Sequence, residues 1–289
     1  MKLFLAAVLL AGSATAAPVA HHPRTRVAHP PKTEAAKKTD ETQPLKPFFQ
    51  PSEVHSTGTV TIGGQPIAFD AVAGTLVVHA KDWSDTDALE ADADKSDKDK
   101  NTPKPEASMF YTAYFKQGVP SATRPITFLF NGGPGSSTVW LRMGAFGPVR
   151  VQTVDTKHTN SPYSTVNNDQ SLLDASDLVF IDAPGTGYSR IAGKDKEKAF
   201  YGVDQDIHAF TDFITRFLTK YDRWRSPKYV FGESYGTMRA AGLSLSLQKA
   251  DVDLNGVILL SDILNWDFMP DDPELNPGID TPYIVALPT

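Results

Sequence analysis

From residue 58 onward, apolar and polar positions alternate with a period of two. In TGTVTIGGQPIAFDAVAGTLVVHA, Gly63-Gly64 separates two short β-rich runs, and a third run follows at 75–80. After a polar interruption, MFYTAYF at 109–115 resumes as a strand. The pattern then changes to short apolar runs at 126–130 (ITFLF), 178–182 (LVFID), 228–231 (KYVF) and 256–260 (GVILL). Helical stretches lie between them. In 204–221, Ile207, Phe210, Ile214, Phe217 and Tyr221 recur at i, i+3, i+7, i+10 and i+14, one stripe of a helix. A second helix is predicted from Tyr235 to about Ala250. Strands alternating with helices build βαβ units. The predicted class is therefore α/β: a largely parallel sheet flanked by helices, after an N-terminal antiparallel β region.

Elsewhere the periodicity is lost, and composition takes over. The chain opens MKLFLAAVLLAGSATAAPVA, with one lysine, an apolar stretch from Leu3 to Gly12 and the small-residue site Ala14-Thr15-Ala16. Residues 1–17 thus read as a secretory signal peptide, and the expected location is secreted or periplasmic. The apolar span is shorter than the ~20 residues that cross a bilayer, so no membrane anchor is expected after cleavage. Residues 18–50, rich in Pro, Ala, Lys and Thr, read as a disordered linker. Its His21, His22 and His29 sit among residues that supply no fixed metal geometry. Between 82 and 100 there are eight Asp/Glu and three Lys, within a loop placed at 82–107. That loop lacks the glycine and terminal glutamate of an EF-hand, so it reads as a mobile acidic connection and not a calcium site. No cofactor or metal is called for. The chain has no cysteine, so stability rests on the core of the domain placed at 51–289. A net charge of −6 argues against a nucleic-acid partner.

Three stretches carry chemistry. In VFGESYGTM at 230–238, Gly232-Glu233-Ser234-Tyr235-Gly236 fits G-x-S-x-G, a strand-to-helix turn that exposes a serine hydroxyl. In FLFNGGPGSSTVWLRMGAFGPVRV at 128–151, glycines after a buried strand let the backbone approach a ligand and aim its N–H groups at it. A phosphate loop would need G-x-x-x-x-G-K, which is absent. The third stretch, NDQSLLDASDLVFIDAPGTGYSR at 168–190, ends a strand in Asp182-Ala183-Pro184-Gly185-Thr186-Gly187-Tyr188-Ser189. Together, in this order, the three resemble the serine carboxypeptidase family of α/β-hydrolases, from about residue 108 to 289.

The resemblance implies peptide substrates and an acyl-enzyme on Ser234, with the N–H groups of Gly133 and Tyr235 as oxyanion donors. It also implies that Asn131, Gly132 and Glu233 bind substrate, with Asn131 and Glu233 hydrogen-bonding the terminal carboxylate. A glutamate meets a carboxylate only when one of the two is protonated. A family cysteine in the glycine loop is Ser136 here, a tryptophan before the loop is Leu129, and a further carboxylate-binding glutamate is Ala145. These departures leave an esterase or acyltransferase on the same scaffold open.

The α/β-hydrolase order of catalytic groups is Ser, Asp, His. All seven histidines (His21, His22, His29, His55, His79, His158 and His208) precede Ser234, and His208 sits on the flank of its predicted helix. Asp262, Asp267 and Asp271 fall where the family inserts its cap, with the cap segment expected to begin near 262. The expectation is that this chain is the front part of a longer enzyme, with its Asp and His beyond Thr289 and its C-terminal portion missing. A non-catalytic binding protein is the remaining alternative.

Overall fold

The structure, a computed structural model, describes residues 47–83, 104–152 and 163–263. The leader, all but the last residues of the linker, the acidic run at 84–103 and the cap segment past 263 lie outside the described residues.

Strand β1 (Glu53–Ile62) turns at Gly63-Gly64 into β2 (Gln65–His79), and the two pair antiparallel from Glu53↔Gly74 to Ile62↔Gln65. Both turn glycines have positive φ, the geometry of a two-residue hairpin. The sequence pattern had suggested a break before a third run at 75–80; instead β2 is one strand of 15 residues. Its alternation slips because its two halves bury opposite faces. Ile67 and Phe69 pack into one core cluster, whereas Val72, Leu76 and Val78 pack into the other. Gly74 lies within the strand because a side chain there has no room: a Cβ would come within 2.8 Å of the Ser52 carbonyl and 2.9 Å of the Tyr111 hydroxyl.

Strand β3 (Glu106–Lys116) pairs antiparallel with β2, and the parallel part begins with β4 (Ile126–Phe130). Next come a short helix α1 (Val139–Leu141), a π-turn at Arg142–Phe146, and a small antiparallel pair, β5 (Val149–Val151) with β6 (Thr165–Asn167). Strand β7 (Asp177–Ile181) and β8 (Arg190–Ala192) precede helices α2 (Lys196–Phe200) and α3 (Val203–Lys220). The described part closes with β9 (Lys228–Glu233), helix α4 (Tyr235–Lys249) and β10 (Gly256–Leu260). Strand order is β1-β2-β3-β7-β4-β9-β10, with β8 also on β3; β7, β4, β9 and β10 run parallel. Every residue of β4 and β7 is buried, as continuous apolar runs in central strands require.

The apolar stripe of α3 covers one face of the sheet. Phe210, Phe213, Ile214 and Phe217 are fully buried against Met109, Tyr111, Phe128 and Phe130. The other face is closed by Leu129, Leu141, Leu173, Phe180 and Phe231.

Two polar anchors fix the ends of this stack. Below β7, Asp177 accepts from Arg124 Nε at 2.9 Å, Arg223 Nη1 at 2.6 Å and the Lys116 N–H at 2.9 Å. It thereby joins the N-terminal ends of the parallel strands. At the start of β1, Glu53 meets Lys220 Nζ at 2.7 Å and accepts from the Tyr111 and Tyr221 hydroxyls at 3.2 Å each. The Lys220 ammonium is the main cause that holds the Glu53 carboxyl down at about 2.

Candidate active site

The C-terminal ends of parallel strands are where open α/β sheets bind ligands. Here β4 ends at Phe130 and β9 at Glu233, adjacent and in register through Phe130↔Gly232. The chain leaves β9 at Ser234 and enters α4 at once. That reversal forces Ser234 to φ 58°, ψ −125°, a strained conformation for any residue with a Cβ. The Ser234 N–H donates to the Leu260 carbonyl at 2.9 Å, and Thr237 Oγ1 donates to the Ser234 carbonyl at 2.7 Å. Both flanking glycines are required by space. A Cβ on Gly232 would run into the Gly236 carbonyl, and one on Gly236 would lie 2.9 Å from the Phe130 carbonyl.

The glycine loop packs directly on this turn. A Cβ on Gly132 would lie 2.7 Å from the Glu233 carbonyl and 2.8 Å from the Gly236 nitrogen, and closer still to the Tyr235 nitrogen. Gly133 follows at φ 112°, which turns the loop outward into Gly135 and Ser136. The Gly133 and Tyr235 N–H groups have no acceptor among the described residues, so both are free to donate to a ligand.

Asn131 is held on every side. Its Nδ2 donates to Glu233 Oε2 at 2.8 Å, and its Oδ1 accepts from the Leu141 N–H at 3.2 Å. Its own N–H donates to Thr138 Oγ1 at 3.2 Å, and its carbonyl accepts from Arg239 Nη1 at 2.8 Å. Thr138 in turn donates from its hydroxyl to the Ile181 carbonyl and from its N–H to Asp182 Oδ1 at 2.8 Å. The other oxygen of Asp182 accepts from the Tyr188 N–H at 3.1 Å. Burial pushes the Asp182 carboxyl up, and these two N–H bonds pull against it.

A cleft of about 420 Å³ opens above these groups, lined by Asn131, Gly133, Ser136, Trp140, Leu141, Glu233 and Ser234. Of the residues singled out from the sequence, Asn131, Gly133, Glu233 and Ser234 line it, while Gly132 and Tyr235 are not among its lining residues and lie buried where the loop packs on the turn, Tyr235 as the first residue of α4. Ala145 is elsewhere, in the π-turn, with its carbonyl accepting from Asn168 Nδ2 at 2.6 Å. Leu129 points into the core with no exposure. No histidine lines the cleft among the described residues, and His208 is half-buried on α3. No cluster of metal-ligating side chains occurs among the described residues.

Sequence reasoning missed several participants. Trp140, two-thirds exposed at the rim of the cleft, carried no signal beyond its place after the loop. Asp182 and Thr138 stood in quoted motifs without a role. Arg239 and Asp206 gave no signal, because an arginine in one helix and an aspartate in another show no relation in one dimension. In space Arg239 Nε and Asp206 Oδ2 lie 2.7 Å apart, both side chains nearly buried.

A half-buried serine on a strained strand-to-helix turn, beneath a glycine loop at the ends of parallel strands, defines the architecture of an α/β-hydrolase. Residues 100–259 match the model of the serine carboxypeptidase family, and the chain belongs to that family. It is 30% identical over 167 residues to serine carboxypeptidase-like 51 of Arabidopsis thaliana, covering 54% of this chain and 34% of that protein. It is 32% identical over 136 residues to the carboxypeptidase Y homolog of Arthroderma benhamiae, covering 47% and 25%. To the human retinoid-inducible serine carboxypeptidase it is 29% identical over 157 residues, covering 52% and 31%. The chain thus matches about a quarter to a third of the length of these relatives. Among solved structures, the peroxisomal α/β-hydrolase Lpx1 of Saccharomyces cerevisiae aligns with 70% of this chain and 49% of its own at 14% identity, with a TM-score of 0.35. A likeness that slight carries no argument of its own.

Proposed function

We propose that this chain supplies the nucleophile, the oxyanion donors and the carboxylate recognition of an exported serine peptidase of carboxypeptidase type. Ser234 Oγ attacks the carbonyl carbon of the last peptide bond of a peptide substrate. The developing oxyanion is received by the Gly133 and Tyr235 N–H groups, and the C-terminal residue leaves as its amine, giving an acyl-enzyme that water then hydrolyses. Family membership and the three ordered motifs support this reading. Export is supported by the 1–17 leader, and no helix among the described residues is long and apolar enough to cross a membrane. The Ser234 proton passes to a base outside the described cleft lining, which contains no histidine, and from that base to the leaving amine.

The observation that carries the proposal is the 2.8 Å bond between Asn131 Nδ2 and Glu233 Oε2 beside Ser234. An amide and a carboxyl group held together at the cleft floor suit a carboxylate ligand, provided one proton is shared between that ligand and Glu233. Two like charges at contact cannot both ionise. Peptides with free C-termini should therefore be cleaved in preference to C-terminally amidated peptides and esters. Glu233→Ala should reduce that preference. Comparing kcat/KM for free and amidated peptides is the test, and equal values would remove the carboxylate role.

An esterase or acyltransferase is the second reading. It is favoured by Ala145 and Leu129, which leave the cleft without a second carboxylate-holding side chain among the described residues. Equal activity on blocked and free substrates at every pH would select it.

A further inference from the structure

We infer that Arg239 is the positioning residue that holds both halves of the oxyanion cradle in register. The inference rests on the proposed acyl-transfer reading for its consequence, but on geometry alone for its mechanism. Arg239 is fully buried in α4, five residues beyond Ser234, so the helix that starts at the nucleophile also carries the clamp. Its Nη1 donates to the Asn131 carbonyl at 2.8 Å. Among the described residues it is the group that meets this carbonyl. The direction of that C=O fixes the plane of the Asn131–Gly132 peptide, the last link before the Gly132–Gly133 peptide that carries the Gly133 N–H, so a loose Asn131 carbonyl frees the base on which that donor is aimed.

The same guanidinium lies 5.4 Å from the ring of Tyr235, 5.3 Å from Phe130 and 4.3 Å from Phe210. One cation therefore touches the residue ahead of the glycines and the residue whose N–H is the second donor. Asp206, on α3, supplies the counter-charge through Nε at 2.7 Å. Burial pushes the Asp206 carboxyl up, while the Arg239 charge opposes that rise.

Packing alone does not account for an arginine here. A buried ion pair is often no more stabilising than apolar side chains of similar volume, and three aromatic rings around the site would accept a leucine or methionine. What an apolar side chain cannot do is donate to the Asn131 carbonyl. Arginine also carries enough donors to serve Asp206 and that carbonyl together, which lysine's single ammonium cannot match in fork geometry.

The test uses the full chain in three forms: the parent, Arg239→Lys, and the paired change Arg239→Met with Asp206→Leu. Three readouts are taken: melting temperature, amide hydrogen exchange across 130–138 by mass spectrometry, and the second-order rate of fluorophosphonate labelling at Ser234. The paired variant, which leaves no unpaired charge, should melt near the parent. Its exchange across 131–136 should rise about tenfold while 240–249 is unchanged, and Ser234 labelling should fall by about tenfold. Arg239→Lys should fall between the two. A paired variant of parental stability with parental loop exchange would overturn the inference. If the paired variant does not fold, parental loop exchange and labelling in Arg239→Lys would overturn it equally. Should the loop loosen as expected while Ser234 does not label even in the parent, the clamp stands on the exchange readout and this chain does not by itself carry the acyl transfer.

Discussion

Gly132 gives the sharpest test of how the site is assembled. In Gly132→Ala the new Cβ would sit 2.7 Å from the Glu233 carbonyl and 2.8 Å from the Gly236 nitrogen. All its close neighbours are backbone atoms of the strand-to-helix turn, so no flexible side chain can swing aside. Relief needs a displacement of more than about 0.7 Å, because 2.7 Å falls that far short of an ordinary contact of about 3.4 Å and the Tyr235 nitrogen is closer still. The loop is the part that yields, because the turn is pinned by Ser234 to Leu260 and by Thr237 to Ser234. Overpacking of this kind costs roughly 1–3 kcal/mol of stability. Its effect on chemistry is larger: misplacing a reacting group by ~1 Å can cost ~10²-fold, and losing one oxyanion donor costs ~10²–10³-fold. The expected outcome is a protein that is still folded, with a Ser234 labelling rate and peptide hydrolysis both about 10² below the parent. Circular dichroism would establish the folded fraction at the assay temperature. Gly144→Ala is the control, since its Cβ meets nothing within 4 Å and its backbone is not in the left-handed region. A folded Gly132→Ala protein that labels within threefold of the parent would show that the loop and the turn are not in the contact described.

Three further outcomes follow from the same structure. Ser234→Gly relieves the φ 58° strain and removes a hydroxyl that makes no hydrogen bond among the described residues; it should abolish labelling yet raise the melting temperature by about 2–4 °C, for a net gain of ~1 kcal/mol, and a lower melting temperature would refute the strain. Asp177→Asn strips the counter-charge from Arg124 and the buried Arg223 and should cost about 3–5 kcal/mol in a urea titration, while a loss below ~1 kcal/mol would mean that the pairs contribute little. Glu53, held at about 2 against an ordinary 4.5, binds fewer protons folded than unfolded between those values, so its contribution is present above pH 4.5 and lost as pH falls towards 2. Because Glu53 is substantially exposed, that contribution is discounted to about 1 kcal/mol. Glu53→Gln should be weaker than the parent at pH 7 and equal to it near pH 2; a difference that persists at pH 2 would refute the assignment.

The sequence made the central strands and the long helices legible because their patterns reflect one physical cause each. Ile126–Phe130 and Gly256–Leu260 fall where the apolar runs placed them, and α3 starts and ends one residue from its stripe. β2 was harder to read, since a strand that changes its buried face midway breaks the period on which alternation depends. The elbow at Ser234 and the glycine loop were visible as motifs because tight backbone geometry restricts residue type. What supports them was not visible. Thr138, Asp182, Arg239 and Asp206 act through contacts between segments far apart in the chain, such as the 108 residues between Arg239 and Asn131. Single-sequence patterns hold no record of such pairs.

The position of β4 has a consequence for how the molecule comes to be folded at all. The β1–β2 hairpin closes locally, but ITFLF of β4 lies between β7 and β9, both of which follow it in the chain. Its first partner begins at Asp177, and its second supplies Glu233, 102 residues after Asn131. At a synthesis rate of ~5–20 residues per second, that second edge waits roughly 5–20 s for its partner. During that interval a five-residue segment without a single charge is exposed on the nascent chain. The strand that ends in the cleft is thus also one that waits unpaired on the nascent chain before the cleft exists.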